Sequence, residues 1–300
     1  MLTKANRSTI KEKRDKVAAK TNKKVQTNKS VEEIIDDMTL FDDDLMSMVF
    51  DENIPAAELL LKIILKREDI EVVSVVGQKE LENPIIGGRN IRLDILVKDK
   101  RGEFFNVEVQ RSNAGANERR ARFHSGMIDS RMLHASQDFK ELLDSYVIMI
   151  TQKDYLGCGL PVYTINRYIE ELGTVFKDGS HIVYVNGSYR GNDPLGKLMS
   201  DFACKEAKDM YYTELASGVK HFKEEEGREL MCQAVEEYAK KKANEAAQKA
   251  AIEAAIKTTI EDAISYGMDK ELILNKVNQK YGISKEEAEK LYNAYVMMAV

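Results

Sequence analysis

The sequence predicts an α/β protein: a mixed sheet flanked by helices, with a helical C-terminal extension. Three observations carry this. Residues 92–110, RLDILVKDKRGEFFNVEVQ, alternate apolar and polar side chains on either side of a Gly-containing turn, the pattern of a β-hairpin. The run SYVIMIT (145–151) is continuously apolar, as a strand buried on both faces must be. Beyond about residue 226 the chain turns rich in Ala, Lys and Glu and carries no strand signal.

Taken in order, residues 1–30 form a basic segment, with Lys4, Arg7, Lys11, Lys13 and Arg14 among its cations. Its apolar residues are too few to bury a face, so a flexible arm is expected, either solvated or lying along a nucleic-acid backbone. A first domain follows over residues 31–225. Pro55 suits the first turn of a helix, and AAELLLKIIL (56–65) carries apolar residues at helical spacing. EVVSVVG (71–77) is β-branched and reads as a strand; the hairpin comes next. ANERRARFHSGMIDSRMLH (116–134) returns to helical spacing, and HIVYVNG (181–187) gives a further strand. Helix, three strands, helix, strand, strand is the order of a mixed sheet with helices on its faces. Residues 226–300 form the helical C-terminal region: a long helix ended by Gly267, then two short helices around Gly282, the second with Ser284 and Glu287 spaced as a capping box. Acidic Glu286, Glu287 and Glu289 make that second helix a poor partner for a DNA groove, so packing or homo-oligomerisation is the expected role.

Bulk properties narrow the class. The 300 residues carry a formal net charge of −5, which argues against wholesale attraction to nucleic acid but allows a local basic patch. Cys158, Cys204 and Cys232 are far apart and form neither a zinc pattern nor a disulfide framework. No apolar run can span a bilayer, and the basic N-terminus lacks the apolar core of a secretory signal, so a cytoplasmic protein is expected.

The hairpin carries the candidate chemistry. Strand side chains alternate between faces. Ile91, Leu93, Ile95 and Val97 share one face of the first arm, and Phe105, Val107 and Val109 one face of the second. Matching the apolar faces fixes the register by parity, and a turn centred near Arg101 sets Asp94 opposite Glu108. Directly opposed like charges are unfavourable. A hard divalent cation would compensate them.

Asp94, followed on the next strand by Glu108-Val109-Gln110, resembles the PD-(D/E)xK nuclease superfamily, with Gln110 in the usual Lys position. The blocks AAELLLKIIL, NIRLDILVKDKRGEFFNVEVQ, RRARFHSGMID and DSYVIMIT are similar to the recombination-promoting nuclease/putative transposase family, whose members commonly carry E-x-Q; the likeness covers about residues 40–205. The resemblance implies a restriction-endonuclease-like fold and a metal-dependent DNA endonuclease linked to recombination or mobile elements. It implies Mg²⁺ or Mn²⁺ held by Asp94, Glu108 and the Val109 carbonyl, with Gln110 beside them in the catalytic set. It also implies a catalytic, metal-binding acid from the helix before the sheet. Glu58 is the candidate for that role; its other reading is an exposed Glu paired with Lys62 at i,i+4. Gln78, just after the first strand, could border the cleft.

Arg119, Arg120, Arg122, His124 and Arg131 cluster on the helix after Gln110. Arg120 and Arg122 are the expected phosphate-binding residues of a DNA partner. His124 is read first as a hydrogen-bonded structural histidine and second as a general base. The alternative to the enzyme is a catalytically inactive nuclease-fold module that binds DNA or protein, with a helical oligomerisation tail.

Overall fold

The computed structural model describes residues 29–83, 85 and 87–299. Of the expected basic arm, residues 1–28 lie outside the described residues. The described chain divides into two compact units, up to Cys232 and from Gln233 onward.

The first unit opens with three helices. α1 (Val31–Asp37) starts in a full capping box between Ser30 and Glu33. α2 (Asp43–Phe50) places Asp43 and Asp44 in its first turn and buries Leu45, Met46, Val49 and Phe50. α3 (Ile54–Leu65) begins where Asn53 accepts the Ala56 N–H, has Pro55 in its first turn, and ends at Lys66 in the left-handed region.

The sheet follows. β1 (Val72–Leu81), β2 (Ile91–Asp99) and β3 (Phe104–Gln110) are antiparallel neighbours. After a single 3₁₀ turn, α4 (Glu118–Met132) starts on the Asn117 cap and crosses over to β4 (Ser145–Thr151), parallel to β3. β5 (Val162–Ile165), the small ribbon of β6 (Tyr168–Ile169) and β7 (Thr174–Val175), and β8 (Ser180–Asn186) come next. The six-stranded order is β1-β2-β3-β4-β8-β5, with β5 an edge strand antiparallel to β8. This is a mixed sheet of the restriction-endonuclease-like kind, and β4 is buried along its whole length. One face receives α4: Ala121, Met127 and Ile128 pack with Leu93, Val147, Met149 and Tyr184. α5 (Pro194–Ala203) and α6 (Thr213–Glu224) complete the unit, and the segment between them holds Asp201, which accepts the Tyr211 and Tyr212 N–H groups.

α7 (Arg228–Ser265) is the long helix expected of the Ala/Lys/Glu-rich run. In the second unit its distal part packs Ile256, Ile260 and Ala263 against Ile273 and Val277 of α8 (Lys270–Tyr281) and Ala288 of α9 (Lys285–Ala299). Gly267 and Gly282 both take positive φ, the left-handed stop for which glycine is suited. Ser284 Oγ accepts the Glu287 N–H, one half of the expected box.

Candidate active site at the splayed end of the hairpin

The hairpin register is the one that parity requires. Ile95 pairs with Val107, Leu96 with Asn106 and Val97 with Phe105. The ladder stops there, although both strands continue. One step further Asp94 stands opposite Glu108, and side chains take over the main-chain bonds. Asp94 Oδ2 accepts the Val109 N–H at 2.9 Å, and the Asp94 N–H reaches Glu108 Oε1 at 3.3 Å. The strands part at this point and the two carboxylates fill the opening. Leu93, Asp94 and Ile95 are buried in succession, so the strict alternation expected along the first arm breaks at Asp94. Gln78 lies across from it on β1, between the pairs Gly77↔Ile95 and Lys79↔Leu93, and has φ 49°. A glutamine at positive φ is backbone strain, and strain of this kind concentrates at functional sites.

Glu108 is fully buried. A buried carboxylate must be paired. Arg120, on the first turn of α4, donates to Glu108 Oε2 at 2.7 Å, and His124 one turn later brings Nδ1 to 3.4 Å from Oε1. The i,i+4 spacing puts both on the helix face over β3. His124 is buried as well and meets the Asn106 amide nitrogen at 3.3 Å; the Asn106 carbonyl oxygen is buried without a partner. Among the described residues no cation forms an ion pair with Asp94. Burial first, then the Glu108 charge, pushes its pKa up to about 8, against the lowering effect of the Val109 N–H.

Asp94, Arg120 and His124 belong to one wall of a cleft of about 780 Å³, beside which Glu108 is buried. Asp94, Gln110, Arg120, Arg122 and His124 line it, and Arg89, Arg92 and Arg119 add three more cations. The Gln110 amide lies directly over Gly115: a Cβ there would fall 1.9 Å from its Oε1 and push the flexible side chain aside. The β3 end is fixed by the Gln152 N–H bonding to the Gln110 carbonyl at 2.9 Å, and the segment before α4 by Tyr184 OH bonding to the Ala116 carbonyl at 2.7 Å.

The third carboxylate of the cleft comes from an unexpected place. Glu58 does not line the cleft. Its Oε1 pairs with Lys62 at 2.7 Å and its Oε2 accepts the Val72 N–H at 3.0 Å. Val72 pairs with Asp99, five residues along β2 from Asp94, about 16 Å at the rise of a strand. The i,i+4 pairing is therefore what the structure gives Glu58, towards the turn end of the hairpin. Asp43, at the start of α2, lines the cleft instead. It opens to solvent, yet the surrounding protein, then Asp44, raise its pKa, with Glu108 contributing. Asp44 is raised too, chiefly by burial, with the Arg92 charge acting in the opposite direction.

Three contacts bring α2 there. Gly77 on β1 has no room for a side chain: an added Cβ would sit 2.8 Å from the Ser47 carbonyl of α2. The Gly77 N–H bonds Asp51 at 2.8 Å, just past the helix, and Arg111 reaches back from the end of β3 to Asp42 at 2.8 Å. The run FDDDL (41–45) is the only local trace of this role, and in sequence it reads as an acidic helix start.

The arrangement can bind a hard cation. Two adjacent carboxyl groups, Glu108 fully buried and paired with Arg120 and Asp94 lining the cleft, are a hard oxygen donor set. Among the described residues, no group of three or more His, Cys, Asp or Glu side chains stands close enough to form a cage. An ion here would thus depend on main-chain oxygen and water for its remaining ligands, as Mg²⁺ commonly does. No helix among the described residues is long and apolar enough to cross a membrane.

Comparison with curated proteins and with solved structures gave no match. A family model does match, over residues 50–277, most of the chain. With its opposed Asp94 and Glu108, its E-V-Q strand end and its restriction-endonuclease-like sheet, the chain belongs to the PD-(D/E)XK nuclease family transposases.

Proposed function

We propose that this chain is a divalent-metal-dependent endonuclease that hydrolyses DNA phosphodiesters. The observation that carries the reading is the neighbouring pair of carboxyl groups, Asp94 lining an arginine-rich cleft and Glu108 fully buried beside it, where the Asp94 N–H reaches Glu108 Oε1. Asp94, Glu108 and the Val109 carbonyl would hold Mg²⁺ or Mn²⁺, and Asp43, which also lines the cleft, would act on the ion only through water. When bound, the ion would supply charge for the phosphate and lower the pKa of a bound water.

The chain's own residues supply the rest. Arg122 and Arg119 are exposed in the cleft and suit phosphate oxygens in fork geometry. Gln110 can orient a water through its amide but brings no charge. Arg120, already beside Glu108, is the cation placed nearest to where the missing Lys would act. That same ion pair favours the second reading, a nuclease-fold module that binds DNA without cutting, because it satisfies Glu108 without any metal.

Supercoiled plasmid incubated with Mg²⁺ or Mn²⁺, with and without chelator, separates the two. The enzyme reading expects nicking that chelator stops and that Asp94→Ala and Glu108→Ala each abolish. Binding without nicking in either metal selects the module. The C-terminal unit leaves Tyr266 and Leu272 exposed, which supports self-association through these helices. Light scattering of the full chain against Leu272→Glu reads this out.

A further inference from the structure

α4 presents an aromatic ring to the cleft. Phe123 lines it and is 39% exposed, on a helix whose other cleft-facing residues are polar or charged. It lies one turn after Arg119 and three residues after Arg120, so ring and guanidinium groups are neighbours on the helix surface. About three-fifths of its surface is covered, and the open part of the ring lines the same cleft as Asp94. Positive charge that tracks a backbone, joined to a free aromatic face, is the recognition chemistry of unpaired nucleic acid.

A paired duplex offers that ring nothing, because its base faces are covered by stacking; only a strand with an unstacked base can use it. The cleft's size agrees. At about 780 Å³ it has room for a nucleotide or two.

We propose that the cleft is selective for single-stranded or locally unpaired DNA, with a base stacked on Phe123 while Arg119 and Arg122 hold the adjoining phosphates. This rests on the cleft being the nucleic-acid site proposed above. It makes Phe123 a specificity-determining residue.

The test is fluorescence anisotropy with a labelled 20-nucleotide oligo-dT and a blunt 20-base-pair duplex, in chelator at one fixed salt concentration, for wild type, Phe123→Leu and Phe123→Tyr. Wild type is expected to bind the single strand more tightly. Phe123→Leu should lower the ratio of single-strand to duplex affinity about tenfold, the size of one base–aromatic stack, and Phe123→Tyr should keep it. Thermal melts confirm that the exposed position leaves the fold intact. A wild-type ratio at or below one, or a Phe123→Leu loss equal on both DNAs, overturns the proposal. Cleavage in Mg²⁺ or Mn²⁺ is scored separately. Ring-dependent binding with no cleavage of either DNA removes the nuclease reading and leaves this one; cleavage with an unchanged ratio does the reverse.

Discussion

Replacing Asp94 with asparagine should make the metal-free protein more stable while destroying its proposed activity. In the folded chain burial and the Glu108 charge raise the Asp94 pKa to about 8. Unfolded, it returns to about 3.9. The folded state therefore holds a proton that the unfolded state releases. The contribution of this group to stability is complete below about pH 4 and is lost as pH rises towards 8, at about 1.4 kcal/mol per pH unit. At pH 7 the accumulated cost is about 4 kcal/mol, an upper figure because Arg120 and the strand ends can relax. Asparagine is neutral, has the same shape, and can accept the Val109 N–H that Asp94 accepts at 2.9 Å. In chelator, Asp94→Asn should raise the midpoint at pH 7 by several degrees, up to roughly 10 °C. The gain should shrink towards pH 5. Urea titrations of both proteins between pH 5 and 8 give the slopes directly. Equal slopes, or a less stable variant at pH 7, would refute the reasoning that Asp94 is a buried acid without a counter-charge.

Glu58→Gln should cost less than about 1 kcal/mol, the worth of a partly exposed i,i+4 pair, and should leave plasmid nicking within twofold of wild type; loss of nicking with the fold intact would return Glu58 to the site. Gly77→Ala should destabilise by about 1–3 kcal/mol, because the added methyl meets the Ser47 carbonyl, and should cut nicking by moving Asp43, although no cleft residue is changed. Equilibrium denaturation and the plasmid assay measure both effects.

The hairpin was legible because it is local. Alternation on both arms and a symmetric turn determine which residues oppose each other, and Asp94 and Glu108 follow by parity. SYVIMIT announced β4 to the residue. The third carboxylate was hidden for a physical reason. Apolar spacing in a helix says which side faces the sheet, but not how far along the sheet the helix lies. Glu58 is on a well-marked helix that docks at the turn end of the hairpin, whereas Asp43 reaches the cleft through a close approach at Gly77, a contact 30 residues away in sequence. The break in alternation at Asp94 depends on the positive φ of Gln78, which no local signal marks. β5, β6 and β7 are two to four residues long, too short for a period to show. α5, by contrast, carries a readable start, Asp193 followed by Pro194, with the Asp193 side chain accepting the Gly196 N–H.

The central claim is that the splayed end of the hairpin is a metal site. Anomalous diffraction from crystals soaked in Mn²⁺ tests it most directly. The account predicts a peak within bonding distance of both the Asp94 and Glu108 carboxylates, absent in Glu108→Gln. A peak at Glu58, or none near Asp94 at millimolar Mn²⁺, would contradict it.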